Sequence, residues 1–494
     1  MSDTRKQIFN KLSMLGRQIK RTHISELVFN KDLEKSVIKS DLLNFDYSKQ
    51  RINYEAMDFL LQIPDLINLK DSLEALFLGQ VSNPSEDRGV CHTLYRNKTL
   101  PKNFELISTE RERIKSFLEK STASLKFTNL IYLGIGGSRL GPELLSEFQS
   151  INEPVNIFFC SSYDLLELKD ALCNCKQSET IVFASSKSFK TSEILKNLDY
   201  IKCWFAEDPE INFEDQLFGI SSNTSAMDNY GIKKSNQYLI LDSLGGRFSI
   251  WSSVSLPAFA NSGYESYLKL LEGAYLADEY TNSTPWKYNI SVIMALLNVW
   301  NATSLGINNH GVFTYNFRLR SLTRYIAQLT MESNGKSINF ESKESPFATT
   351  PLIWGGYGID LQHSTFQWLM QGKTETSCDF IGINDGKHES IDSQEMLLSQ
   401  VIAMTYGENS EKKHFKSVRG NNPCSIIQLN ACDLRNLGFL LAIYEHKTFI
   451  EALILGLDPF DQWGVQLGKK LASEAKSNNK ILKDNFSSSL IPKS

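Results

Sequence analysis

Leu130-Ile-Tyr-Leu-Gly134-Ile-Gly136-Gly137-Ser138-Arg-Leu-Gly141-Pro142 decides how this chain folds. Four apolar residues run without polar alternation into a glycine turn, as in a strand buried on both faces. The stretch after the turn predicts a helix that Pro142 helps to start. Strand, glycine turn and helix in that order open an α/β sheet, and the backbone N–H groups at such a helix start bind anions. The spacing departs from the dinucleotide fingerprint, and no P-loop lysine follows at the right place. Two readings of the loop stand: a phosphate cradle, and a tight turn that glycine permits.

The same rhythm continues on both sides. Asn156-Ile-Phe-Phe, Thr180-Ile-Val-Phe, Leu217-Phe-Gly-Ile and Tyr238-Leu-Ile-Leu read as further strands separated by helical stretches, which predicts a parallel sheet covered on both faces. A long apolar helix, Ile290-Ser-Val-Ile-Met-Ala-Leu-Leu-Asn-Val-Trp300, interrupts the rhythm. It resumes with Gly311-Val-Phe-Thr-Tyr, Pro351-Leu-Ile-Trp, Asp379-Phe-Ile-Gly-Ile and Ser425-Ile-Ile-Gln-Leu. The expectation is an α/β protein of two units joined near 265–290. The first 104 residues read as a helical, charged segment, and a Ser-rich tail closes the chain after 480.

The bulk properties narrow the function. At 494 residues the chain exceeds one compact core. A net charge of −4, with Lys and Arg spread along the chain, argues against a nucleic-acid or acidic-membrane partner but not against one bound anion. Eight cysteines in so long a chain form no disulfide scaffold, and Cys173-Asn-Cys175 is spaced too closely for a zinc knuckle. Reduced thiols, a start without a signal-peptide core and no run of about 20 apolar residues together predict a cytoplasmic protein.

Five segments carry polar groups that could do chemistry. Ser185-Ser186-Lys187-Ser188-Phe-Lys190-Thr191-Ser192-Glu193 repeats the strand-to-helix arrangement, with hydroxyls and amides suited to a phosphate. Its structural alternative is an N-cap cluster with Glu193 closing a capping box. Gly245-Gly246-Arg247 places a permanently charged fork of donors after two glycines, where it either stabilises an oxyanion or pairs with a surface carboxylate. Gln328-Leu-Thr-Met-Glu332-Ser-Asn-Gly-Lys336 ends a helix, with Gln328 and Glu332 on one face and Asn334 or Gly335 suited to a left-handed stop. An acid in the last helical turn opposes the helix dipole, so Glu332 is either an exposed acid at a frayed end or a functional group. Trp354-Gly-Gly-Tyr-Gly358-Ile-Asp-Leu-Gln362-His363 brings a proton-transferring imidazole to a strand end; the other six histidines read as surface, capping or packing residues. Asp458-Pro-Phe-Asp-Gln462-Trp-Gly-Val-Gln466-Leu-Gly-Lys469 reads as the start of a late helix, with Gln462, Gln466 and Lys469 in one stripe and Trp463 partly buried.

In this order, and with Glu86-Asp-Arg88-Gly-Val-Cys-His92 and Arg96 upstream, these segments resemble the glucose-6-phosphate isomerase family from about residue 75 to 475. The runs Gln328 to Lys336 and Phe460 to Lys469 are the most specific. The resemblance implies two sugar isomerase (SIS) domains, 105–268 and 269–480, each a three-layer α/β/α sandwich with a mostly parallel sheet, flanked by the helical segment 1–104 and the tail 481–494. It implies aldose–ketose isomerisation of glucose 6-phosphate and fructose 6-phosphate, in glycolysis and gluconeogenesis, without metal or cofactor. On that resemblance Glu332 is the base that moves a proton between C2 and C1, and Arg247 stabilises the cis-enediol(ate). His363 and Lys469 open the hexose ring. Gly137, Ser138, Ser186, Lys187, Ser188 and Thr191 hold the phosphate, and Gln328 and Gln462 hold sugar hydroxyls. It also implies a homodimer in which His363 serves the partner's site. The chain departs from the family pattern at Ile359, Asp360 and Leu361 before His363, at Lys190 in the phosphate loop and at Gln466. Neighbouring possibilities are an isomerase of mannose 6-phosphate or an amino sugar phosphate, a non-catalytic sugar-phosphate sensor, and a nucleotide-dependent oxidoreductase.

Overall fold

Strands expected from apolar runs assemble into two sheets. A computed structural model describes residues 3–27, 36–123, 127–149, 154–411, 413–477, 480–487 and 490. In chain order the strands are β1 (Val37–Lys39), β2 (Leu43–Lys49), β3 (Ser82–Asn83), β4 (Arg88–Gly89), β5 (Asn129–Leu133), β6 (Asn156–Cys160), β7 (Thr180–Ser185), β8 (Leu217–Ser221), β9 (Gln237–Leu239), β10 (Asn309–Thr314), β11 (Leu352–Tyr357), β12 (Ser377–Ile383) and β13 (Cys424–Leu429). One sheet has the order β6-β5-β7-β8-β9 and is parallel throughout. The other large sheet has the order β1-β2-β13-β12-β10-β11, parallel except for β1 and β2, and β3 and β4 form a separate antiparallel pair. The α/β expectation holds, since β5, β7 and β12 are buried at every position and carry the unbroken apolar runs of two-sided burial.

The N-terminal segment corrects the purely helical reading. Leu43-Asn-Phe-Asp-Tyr-Ser-Lys alternates apolar and polar residues, and β2 pairs antiparallel with β13, with Phe45 opposite Ile427. Leu43, Phe45 and Tyr47 are buried, whereas Asn44 and Asp46 on the other face are only partly so. Helices do flank this pair, among them Asp3–Ile19 and Leu69–Phe77.

Two long helices cross at the centre. Gly263–Ser283 packs on Leu434–Leu455, which is buried along nearly its whole length. A side chain at Gly273 would stand 1.8 Å from the Arg435 carbonyl oxygen, and one at Gly438 would stand 2.1 Å from that of Leu270. Glycine therefore sets the close approach of these backbones. The crossing buries an ionic cluster: Arg96 donates to both carboxylate oxygens of Asp278 at 2.8 and 2.7 Å and pairs with Glu445, while its guanidinium lies 4.7 Å from the Trp251 ring. His446, one of the six histidines expected on the surface, at caps or in packing, sits here 2.7 Å from Asp278. The apolar helix Ile290–Val299 is wholly buried, as its composition predicts. The Ser-rich tail after Asn485 lies largely outside the described residues.

Candidate active site

Topology places the first part of the site. In the five-stranded sheet the chain leaves β5 for β6 on one side and returns to β7 on the other, so the loops after β5 and β7 diverge from neighbouring carboxyl ends. Ligands of open α/β sheets bind in that crevice. The loop after β5 enters the helix Gly137–Gln149, and the loop after β7 enters the helix Ser192–Phe205. Both helices therefore point a positive dipole end at the crevice, with the Ser138 and Arg139 N–H groups of the first bonded to the Ile135 and Gly136 carbonyls at 3.2 and 2.9 Å. Pro142 is the sixth residue of its helix and does not start it; the start falls at Gly137.

The loop after β7 does not form a capping box. Thr191 stands at the N-cap but makes no side-chain cap bond; its hydroxyl lies 2.8 Å from that of Ser186 instead. Ser188 accepts the Lys190 N–H through its hydroxyl, and between them Phe189 adopts φ 49°, a left-handed conformation that an L side chain rarely takes. The Lys187 carbonyl accepts the Ser221 and Ser222 hydroxyls at 2.8 and 2.9 Å, while its ammonium lies 3.3 Å from the Asp242 carboxylate. Burial, and then the neighbouring Arg88 cation, lower the pKa of Lys187. The loop thus brings hydroxyls and backbone amides to the helix start, while the Lys187 ammonium is held by Asp242.

The second part meets the first at glycine contacts. A Cβ on Gly137 would stand 2.2 Å from the carbonyl carbon of Gly246, so the loop after β5 lies directly on the Gly245-Gly246-Arg247 turn. A Cβ on Gly136 would stand 3.1 Å from the amide nitrogen of Gln328. Gln328 belongs to the helix Leu322–Asn334, whose C-terminal end carries Glu332. This helix runs beside Gly137–Gln149, joined by Arg324–Glu143 at 3.3 Å and Arg320–Glu147 at 3.2 Å. A positive helix start and a negative helix end therefore face the same space.

Arg247 is the electrostatic centre. Its side chain is 1% exposed, and each nitrogen has a fixed acceptor. Nε donates to Ser333 Oγ at 2.6 Å, Nη1 to Gln462 Oε1 at 2.8 Å, and Nη2 to the carbonyls of Pro459 and Asp461. Nη1 also lies 3.9 Å from Glu332 Oε1, so the surface-carboxylate alternative does not apply. Burial pulls the Arg247 pKa down and Glu332 pushes it back up. Glu332 keeps a quarter of its side chain exposed and accepts the Gln328 amide at 2.9 Å.

The helix ends differently from the left-handed stop expected. Gly335 has φ −75° and ψ 61°, and the Lys336 N–H bonds the Asn334 carbonyl at 2.8 Å, an inverse γ-turn. A Cβ at Gly335 would lie 2.4 Å from the Met331 carbonyl oxygen, so glycine is required sterically even at negative φ. The Lys336 ammonium donates to the Ser333 carbonyl at 2.6 Å and pairs with Asp461 at 2.8 Å, placing a cation at the helix C-terminus.

The remaining candidates lie farther out. Gln462 reaches Arg247 from a non-helical residue, and the late helix begins only at Gln466; the three-residue stripe is therefore not formed, and Trp463 is 58% exposed. Lys469 is exposed on that helix. His363 follows β11 and the short helix Gly358–Gln362, as the glycine turn predicts, and is exposed. His92, another of those six histidines, is buried against Phe248 at a ring distance of 4.6 Å, and burial drives its pKa well below the ordinary value. Among the described residues, no group of three or more His, Cys, Asp or Glu side chains is placed to hold a metal ion.

A profile of the family described as phosphoglucose isomerase matches residues 46–490. The chain belongs to the phosphoglucose isomerase family. It is 33% identical to the glucose-6-phosphate isomerase of Hydrogenovibrio crunogenus, with 94% of each chain covered. Against that of Helicobacter pylori strain G27 it is 32% identical, with 95% of this chain and 94% of the relative covered. The crystal structure of a glucose-6-phosphate isomerase from Chlamydia trachomatis matches with a TM-score of 0.89 at 28% identity, over 97% of this chain and 96% of that one.

Sequence reading had missed the groups that hold Arg247 and Glu332 in place. Ser333 and Lys336 lay inside the quoted helix end, yet their partners are Arg247 and Asp461, more than 80 residues away. Ser85, in the β3–β4 turn, donates to Asp461 and accepts the Trp463 indole N–H at 3.1 Å, and no local pattern announces that contact.

Proposed function

We propose that this chain interconverts glucose 6-phosphate and fructose 6-phosphate, with the phosphate on the loops after β5 and β7 and C1–C2 between Glu332 and Arg247. The observation that carries the reading is the Arg247–Glu332 pair, 3.9 Å apart and joined to the phosphate loop through the Gln328–Gly136 contact. Glu332 lifts the proton from C2; the C–H electron pair becomes the C1=C2 bond and the carbonyl pair moves to O1. Arg247, dry and rigidly held, offers its positive charge to the oxygen on which charge develops. Passage of the O2 proton to O1 and return of the proton from Glu332 to C1 turn C2–O2 into the carbonyl and C1–O1 into the alcohol, which is the ketose. Ser138, Ser186, Lys187, Ser188 and Thr191 bind the phosphate in this reading, Gln462 orients the sugar beside Arg247, and His363 and Lys469 open the ring.

His363 serves the site of a second copy. Met331 touches the start of β11, where its sulfur meets the Ile353 N–H at 3.4 Å, whereas His363 lies beyond the strand's other end. Six strand residues separate those ends by roughly 17 Å. Exposed Trp463, Val465, Leu467 and Leu471 around Lys469 offer apolar surface for a partner to cover. A homodimer is consistent with both features; with the proposed reaction the chain would serve glycolysis and gluconeogenesis in the cytoplasm.

Assaying the purified chain with fructose 6-phosphate, coupled to oxidation of glucose 6-phosphate, tests the reaction. Glu332→Gln is expected to lower kcat by about 10³-fold or more while KM changes little. Near-normal turnover by that variant would remove Glu332 from the role of base.

A further inference from the structure

A fully buried ion pair stands directly behind the helix end that carries Glu332. Lys447 Nζ and Glu451 Oε1 are 2.7 Å apart, one turn from each other on the central helix Leu434–Leu455, and their side chains are 3% and 1% exposed. Asn298, from the apolar helix Ile290–Val299, donates to Glu451 Oε1 at 2.8 Å. The other oxygen, Oε2, lies 3.4 Å from the Asn334 amide, which also donates to the Thr448 carbonyl at 3.0 Å. Asn334 is itself wholly buried and is the last residue of the Glu332 helix.

Burying a lysine and a glutamate costs desolvation that their attraction does not reliably return, and apolar replacements of such pairs are often as stable or more so. Stability alone is therefore a poor reason for the pair to exist here. Helix geometry supplies a better one. Residues two apart on a helix differ by about 200° around its axis. Drawing Asn334 into the core toward Glu451 and Thr448 therefore turns Glu332 to the opposite side, toward the cleft. Ser333, about 100° from each, falls where it takes the Arg247 Nε donor. The tether at Asn334 fixes the rotation of the last turn, and the rotation fixes where the carboxylate stands.

We infer that Glu451, neutralised by Lys447, is a positioning residue for Glu332, acting through Asn334. The inference rests on the reading of Glu332 as the base. A base held in register returns its proton to C1 before solvent reaches it. A base that rocks exchanges that proton first, and in D2O deuterium then enters the product.

Two double variants separate this role from plain stability. Lys447→Met with Glu451→Leu replaces the pair by apolar side chains and leaves Asn334 without the carboxylate. Lys447→Met with Glu451→Gln removes both charges but keeps an oxygen for Asn334, while the Asn298 amide turns over so that its carbonyl accepts the glutamine N–H. The first is expected to lose kcat by about ten- to a hundredfold with KM within about twofold, and to raise deuterium incorporation per turnover at least twofold. The second is expected to retain wild-type kcat and incorporation. Incorporation per turnover does not depend on how much of the preparation is folded. Asn334→Ala cuts the bonds to both Glu451 and Thr448 with the ion pair intact and should lose at least as much as the first variant; if the first variant does not fold, Lys447→Met with Glu451→Met takes its place. Wild-type kcat and incorporation in a folded tether-cut variant would overturn the inference. Glu332→Gln run in parallel keeps the two ideas apart: if it turns over normally the base is elsewhere, and if it is dead while the tether-cut variants behave as wild type, only the positioning role falls.

Discussion

Arg247 has a chemical reason to be arginine and not merely a cation. Three nitrogens reach four acceptors in different directions, namely Ser333, Gln462 and the Pro459 and Asp461 carbonyls. A lysine there would keep the charge and lose the fork. Arg247→Lys should therefore fold, bind substrate within a few-fold, and lose kcat by about 10²-fold, as expected when one preorganised donor of a transition-state site is removed; steady-state kinetics on fructose 6-phosphate reads both numbers. Gly137 is as tightly specified. Its missing side chain leaves no room above Gly246, so Gly137→Ala must push the phosphate loop off the Arg247 turn, at a cost of about 1–3 kcal/mol and with a raised KM. Denaturant midpoints and KM for the two sugar phosphates check the pair of effects. At this scale the sequence was informative where the chemistry is local. Gly-Gly-Arg, the Gln328–Glu332 spacing and the serine loop all lie within a few residues of the group they serve. Ser333, Lys336, Asn334 and Ser85 act on partners distant in sequence, and a one-dimensional pattern carries no sign of such contacts.

Among elements, the short strand β9 closes one side of its sheet, and the helix Glu105–Ala123 covers its backbone groups with side chains. Glu110 accepts the Leu239 N–H at 2.9 Å, and Arg113 donates to the Gln237 carbonyl at 2.5 Å and to that of Ser235 at 3.1 Å. An edge capped in this way cannot pair with another chain. Burial pushes the Glu110 carboxyl up to about 7, against the Leu239 N–H and Arg113, which pull it down. The folded-state value lies above the unfolded one near ~4.3, so its contribution to stability is whole below about pH 4 and is lost as pH rises through about 7. Glu110→Gln keeps an acceptor for Leu239 without a charge to bury. Its thermal midpoint should fall less than the wild-type midpoint between about pH 5 and 8, and parallel curves would refute the assignment. Element reading succeeded for strands buried on both faces, whose apolar runs need no context. It failed for β2, whose alternation was visible in Leu43, Phe45 and Tyr47 but sat among charged helices. It also failed around Gln462, where helical spacing is satisfied but the backbone is non-helical, at φ −154° and ψ 54°.

For the whole molecule, the separation of Glu332 and His363 along β11 makes a prediction about mixtures. Glu332→Gln and His363→Ala should each be nearly inactive alone. Unfolded together and refolded, they should recover up to about a quarter of wild-type activity, because half of randomly paired dimers would hold one site with both wild-type groups. No recovery, with dimers shown by light scattering, would place His363 in its own chain's site.

The pairing of β2 with β13 bears on how the chain is made. Residues 43–49 lie against 424–429, the widest sequence separation between paired strands here. The five-stranded sheet draws on residues 129–239 alone and can close while the ribosome is still at work. The six-stranded sheet cannot, since β2 must wait for a strand made on the order of 20–75 s later at ordinary elongation rates. Throughout that interval an apolar strand edge is open to chaperones or to a neighbouring nascent chain. A nonsense mutation anywhere before about codon 424 would leave that edge open for good, so such truncations are expected to be aggregating products and not merely inactive ones.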